Sequence, residues 1–410
     1  MTSMTHTNQR LDYLDAVRAF ALLLGIVFHA SLSFLPVYIG WAVMDVSTSN
    51  LVAHFMLVSH SFRMELFFLV AGFFSHMTFH RAGAGPFVRS RLLRIAVPFG
   101  VGWFLLRPLL ISGWVMGMQS LRGEVDFSAA MLQSWVSFME SMGNPFTGTH
   151  LWFLYYLLVI TALVLAIRSL VGLLGAWGRS VTRAADAAAA WLCHSPAGMV
   201  VLALPTAAAL WFMNHWGMDT PDRSLVPQLP VLLIYTGCFG FGWLLQRQSH
   251  LMESFSRLTP ARLLMTLLAV IAAVYLSGFQ ARTGHPQYVT FKLAFVLSYA
   301  LMMWSLVALT IGVFRRCLNR PREWVRYLAD ASYWLYLIHL PIVVWLQIAF
   351  AEVPWHWAVK LALISGITVA VSLLLYDLLI RQTFIGTVLN GRRKQRALRL
   401  RRNPALAAPL

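Results

Sequence analysis

Long apolar runs separated by short polar or basic segments recur along the whole chain, and ten of them are close to the length of helix, about 20 residues, that crosses a bilayer core. They fall at 14–36, 51–78, 92–118, 150–174, 199–216, 229–247, 262–279, 290–314, 327–350 and 357–381. The pattern predicts an all-α integral membrane protein of about ten transmembrane helices. The longest stretches between spans, 119–149 and 169–197, are too short for an appended soluble domain. The first of them carries Glu124, Asp126 and Glu140 among aromatic residues and is expected to cap a cavity on the outer side.

Composition agrees: 59% of residues are hydrophobic, 11% are charged, and the mean hydropathy is +0.67. A net charge of +17 raises the question of nucleic acid, but its distribution answers it. Of the 32 Lys and Arg, 25 lie at the N-terminus, in alternate loops and from Arg381 onward, which is the positive-inside pattern. Both termini are therefore expected on the cytoplasmic side, with the lipid bilayer and not nucleic acid as the basic partner. The chain divides into a membrane domain, 1–390, and a basic cytoplasmic tail, 391–410, whose RRKQRALRLRR suits anionic lipid. The first apolar run is a full span with no small-residue cleavage site behind it, so it is expected to stay in the membrane. Cys193, Cys238 and Cys317 have neither metal nor redox spacing and read as packing residues.

Against this apolar background the ionisable residues inside spans stand out, because each costs free energy there and marks a pathway or a reacting centre. Arg18 and His29 share the first span, eleven residues apart. Eleven steps of a helix return to within about 20° of one face and rise about 16 Å, so one face offers a cation at the membrane edge and an imidazole deep inside. The second span carries His60, Arg63 and Glu65, the third Arg107 and the ninth His339. His60 and His339, each taken alone, fit a helix-packing role equally well. Arg91 and Arg94 open the third span beside Arg18; alone they read as anchors, together as a phosphate-binding group. A ligand anchored there by phosphate, with an arm of roughly 15–20 Å, would place its reactive end beside His29. Acyl-coenzyme A has that shape. His76 and His80 have a metal-compatible spacing but no third ligand, so no metal is expected.

These residues fall in blocks that resemble the membrane acyltransferase-3 family. The blocks are Arg18 to His29 in LDAVRAFALLLGIVFH, FRMELFFLVAGFF with Ala71 where Ser is usual, RSRLLRI with Arg91 and Arg94, HLWFL with His150 and Trp152, and ASYWLYLIHLP with His339. HSFRM before the double Phe resembles the branch regarded as succinyltransferases of periplasmic glucans. The resemblance implies a multi-pass protein of the bacterial inner membrane that moves an acyl group, succinyl first, from cytoplasmic acyl-CoA to glucan hydroxyls outside, with no permanently bound cofactor. His29 would take the hydroxyl proton, or carry the acyl group itself, and both routes stay open. Glu65 would orient or balance that imidazole, Arg63 would pair with Glu65 or stabilise an oxyanion, and Arg18, Arg91 and Arg94 would hold the acyl-CoA. A donor with a free carboxylate would need a cation deep in the tunnel, Arg63 or Arg107. His60, His150, Trp152 and His339 are the remaining substrate-side candidates. Other readings are O-acetylation of a different envelope glycan, a transporter without chemistry, or a scaffold for glucan-synthesis machinery.

Overall fold

The computed structural model describes residues 11–120, 125–142, 149–318, 320 and 322–390. Among these the chain is helical, with no strand: α1 Asp12–Ser31, α2 Asn50–Ala82, α3 Ala84–Arg91, α4 Val97–Ser120, α5 Phe127–Ser141, α6 Trp152–Leu173, α7 Gly175–His194, α8 Gly198–Leu210, α9 Leu229–Arg247, α10 Leu251–Phe255, α11 Pro260–Ser277, α12 Tyr288–Cys317, α13 Glu323–Phe350, α14 Trp357–Leu375 and α15 Phe384–Asn390. Among the described residues, nine helical segments are long and apolar enough to span a membrane, and the α7–α8 pair makes a tenth if counted as one broken span. With no water in the bilayer core to satisfy backbone groups, helices close their own hydrogen bonds and are the natural solution for such a sequence. The basic tail 391–410 lies outside the described residues.

Most segments begin and end within a few residues of their hydropathy limits. The exceptions are informative. The span expected at 199–216 is only the 13-residue α8, which meets α7 at a bend of 114°. The polar stretch 169–197 is not a loop: α6 runs into it and α7 fills it with an amphipathic helix carrying Arg179 and Arg183 on an exposed face. Within the stretch 119–149 the described residues include α5, which packs on α4. Asp126 caps α5 by accepting from the Ala129 amide at 3.0 Å, and that bond with the Ser128 hydroxyl holds its carboxyl below the usual carboxylate range. Glu124 lies outside the described residues.

The core of the bundle is α1 and α2 with α9, α12 and α13 around them. Close approach between α2 and α9 depends on absent side chains. A Cβ on Gly72 would collide with the Phe239 carbonyl oxygen, and one on Gly242 with that of Leu69. Small residues that let backbones touch are the usual device for packing helices in lipid, where the hydrophobic effect between them is weak. The tight α2–α9 seam fixes which face of α2 is turned toward α1, and with it the position of the candidate site.

Candidate active site

Between α1, α2, α6 and α13 lies a cavity of about 380 Å³ that runs along the bundle from a basic end to a cluster of imidazoles. At the basic end are Arg18 from α1 and Arg91 and Arg94 from the start of the third span. The backbone there is locally underwound: Leu92–Ala96 forms a π-helical turn between α3 and α4, a distortion that recurs at functional sites. Arg94 is exposed, Arg91 donates to the Ser75 hydroxyl at 3.2 Å and lies over the Phe87 ring, and Arg18 stands 3.5 Å from Asp15. Tyr333 donates to the Arg94 carbonyl at 2.6 Å and closes this end against α13.

At the other end His29, His60, His150 and His339 line the same cavity. The His29 and His339 rings are 5.3 Å apart, and those of His150 and His339 are 6.0 Å apart. Two of the tautomers follow from carbonyl partners. Pro341 has no amide hydrogen, so the Leu337 carbonyl one turn back loses its helical donor and accepts instead from His150 Nε2 at 3.0 Å. His339 Nδ1 faces the Leu335 and Tyr336 carbonyls at 3.1 and 2.8 Å and must donate to them. In the neutral imidazoles this leaves Nδ1 of His150 and Nε2 of His339 as bare lone pairs, and neither atom has a partner. His29 Nδ1 is also without one. Its ring stacks on Trp41, at 6.0 Å, and Gln347 steadies the backbone beneath it by donating to the His29 and Ala30 carbonyls, both at 3.0 Å. Gln347 in turn accepts from Trp41 Nε1 at 2.9 Å.

Arg63 lines the deep end. Its guanidinium lies 4.3 Å over the Phe28 ring, is only 5% exposed, and has a terminal nitrogen with no hydrogen-bond partner. Every charged residue along the described cavity wall is an arginine, so the whole cavity favours anions. One expected position is not found here. Glu65 is absent from the cavity wall: two residues from Arg63, it is turned to the other side of α2, where it is fully buried with neither carboxyl oxygen hydrogen-bonded and with Arg63 as a charged neighbour. It has no place beside His29. Of the two arginines expected as a deep cation, Arg63 lines the cavity, and Arg107 lies over Trp103 outside its wall. The expected cap 119–149 places no described residue in the wall, whereas the loop 211–228 places Thr220 there. Cys193 and Cys238 are buried as packing residues, but Cys317 is exposed.

Trp152 joins the wall beside His150. Sequence reasoning missed Tyr333, Tyr336, Trp41, Gln347 and Thr220. For two of these the signal was available: Tyr333, Tyr336 and His339 are spaced by three and so share a helix face. Nothing local marks Trp41, Gln347 or Thr220, whose partners are hundreds or at least a hundred residues away.

The cavity thus joins guanidiniums able to bind an anion to buried imidazoles able to exchange a proton, inside a helical bundle long and apolar enough to cross a membrane. The profile described as an acyltransferase domain, that of acyltransferase family 3, matches residues 11–377, and the chain belongs to that family: it is a multi-pass membrane acyltransferase. It is similar to glucans biosynthesis protein C of Escherichia coli strain K12, at 25% identity over 94% of this chain and 95% of the relative. The proteins of the same name from Escherichia coli SMS-3-5 and O157:H7 strain EC4115 match to the same extent. No solved structure matches significantly.

Proposed function

We propose that the chain takes a succinyl group from cytoplasmic acyl-CoA and delivers it to hydroxyls of a periplasmic glucan, in the bacterial inner membrane. The observation that carries this reading is the continuity of one cavity from Arg18, Arg91 and Arg94 to His29. Three guanidiniums suit the phosphates of a nucleotide head, and the helix rise from Arg18 to His29 suits a long slim arm ending in a thioester. His29, held by Trp41 and Gln347, is the group we assign to the reacting carbonyl. A neutral imidazole there takes the proton of the attacking hydroxyl while the carbonyl–sulfur bond breaks and the thiol leaves protonated. His150 and His339, with one nitrogen each committed to a carbonyl, are suited to accept a proton on the other.

The choice of succinyl over acetyl is supported by Arg63. One terminal nitrogen of its buried guanidinium has no hydrogen-bond partner, and a donor ending in a carboxylate supplies an acceptor there. The name of the Escherichia coli relatives supports the glucan acceptor. The test is mass spectrometry of the periplasmic glucan fraction from cells lacking this protein, complemented with the intact chain, His29→Ala or Arg63→Met. Succinyl increments are expected with the intact chain alone. Acetyl increments in their place, or full complementation by His29→Ala, would overturn the donor or the central residue respectively.

A further inference from the structure

The cavity touches the loop at its imidazole end through a single residue. Thr220 is exposed, lies in the wall, and its hydroxyl is 2.9 Å from His60 Nε2. It belongs to the segment 211–228 between α8 and α9, which has no regular structure. α8 has 13 residues. At about 1.5 Å each it rises about 20 Å, some 10 Å less than a hydrocarbon core. Irregular backbone at that depth persists only where it is buried in protein or lines a watery cavity.

The loop is built to keep Thr220 in place. Asp219, 6% exposed, accepts from the amide and side chain of Asn214 at 2.8 and 3.0 Å and from the amide and ring of His215 at 3.2 and 2.8 Å. On the other side of the turn the Met218 amide donates to the Tyr299 hydroxyl at 3.3 Å. The Trp211 carbonyl, left unpaired where α8 stops, accepts from Lys292 Nζ at 3.0 Å. From His60 the way inward passes the Phe28 ring, 5.5 Å from His60 and 5.4 Å from His29.

Resting on the acyl-transfer reading, we propose that the Thr220–His60 contact is the port for the acceptor, and that His60 is the binding group for a carbohydrate hydroxyl entering from the side opposite the arginines. Thr220 offers His60 an alcohol oxygen, the same group the acceptor brings. A sugar hydroxyl that displaces it makes the same bond, so opening the port exchanges one alcohol–imidazole hydrogen bond for another. Donor and acceptor then enter one cavity from opposite ends. Thr220 and His60 are specificity residues for the acceptor and leave the donor untouched.

The experiment places a thiol at the port. Thr220→Cys is made in a Cys317→Ser chain, since Cys193 and Cys238 are buried. Intact cells are treated with a membrane-impermeant maleimide, and glucan modification and coenzyme A binding by isolated membranes are compared before and after labelling. Labelling from outside is expected, with at least a tenfold loss of glucan modification and less than a twofold change in coenzyme A binding. Labelling from the inner side only, or labelling without loss of modification, overturns the port. Thr220→Trp, which fills the mouth, must reproduce the loss, and Thr220→Ser must retain modification; the reverse order also overturns it. If membranes of the intact chain bind no coenzyme A, the donor reading fails, while the side from which the thiol is labelled still decides the port.

Discussion

Two loops meet the imidazole end of the cavity, and they are held by different forces. The segment 35–49 is tied down by a buried charge pair: Lys360 Nζ lies 2.7 Å from Asp45 Oδ1, with side chains 0% and 1% exposed. Backbone bonds from Asp45 to Ser33, Val46 to Ala351 and Ser49 to Phe34 add to it, and Trp41 is pinned to Gln347. The segment 211–228 has no such pair to its neighbours among the described contacts. It is organised from within by Asp219, meets the surrounding helices through the hydroxyls of Tyr156, Tyr288 and Tyr299, and at its start takes one charged bond, from Lys292 Nζ to the Trp211 carbonyl. Only the second places a side chain in the cavity wall. The difference teaches where the fold is locked by charge and where it is held by weaker bonds, as the proposed port requires. A buried ion pair, once broken, leaves an uncompensated charge, so that loop stays shut; neutral hydrogen bonds are each worth only about 0.5–1.5 kcal/mol net and exchange readily.

The largest effect is expected from Lys360→Met. Asp45 is then left buried without its cation, at a cost of about 3–5 kcal/mol, read as a fall in thermal stability of the detergent-solubilised protein. Pairing it with Asp45→Leu should recover most of the loss; a double variant no better than the single one would break the claim that charge locks this loop. Next, Gln347→Leu strips a donor from the His29 and Ala30 carbonyls and an acceptor from Trp41, at a cost of about 1–3 kcal/mol. Because it acts through His29, kcat should fall while the KM for acyl-CoA holds; an equal change in both would mean that Gln347 only supports the fold. Asp219→Ala removes the acceptor for four donors and should also cost about 1–3 kcal/mol, but its kinetic effect should fall on the acceptor KM. Smallest is Thr220→Val, which should change stability by no more than about 0.5 kcal/mol, since the hydroxyl is exposed and the swap nearly isosteric. A loss as large as that of Lys360→Met would erase the contrast between the loops.

Much of this bundle was legible in hydropathy, because a span needs a run of apolar residues whatever its neighbours are. The failure at 199–216 has a local cause. Trp211, Phe212 and Met213 remain apolar after α8 stops at Leu210, and a windowed average cannot separate an apolar helix from an apolar turn. Glu65 was separable in principle, since residues two apart on a helix do not share a face, and its distance from His29 follows from Arg63 pointing into the cavity. The role expected for the 119–149 stretch had no such internal check, because which loop covers a cavity depends on helix arrangement and not on loop composition.

The sequence by itself determined a helical membrane bundle, the approximate limits of nearly every span, and the placement of Arg18 and His29 on one helix face, because hydropathy and the 3.6-residue period are short-range properties of one helix. The proline that frees the Leu337 carbonyl was equally visible in HLP, although its partner, His150, was not. Tertiary structure alone decided that four histidines, from α1, α2, the turn before α6 and α13, share one cavity with Arg63, that Glu65 faces away, and that Thr220 lines the imidazole end. Those facts rest on how closely helices approach and how they are rotated about their axes. Such relations are set by contacts such as Gly72 with Phe239 and Gly242 with Leu69, between residues more than 150 positions apart.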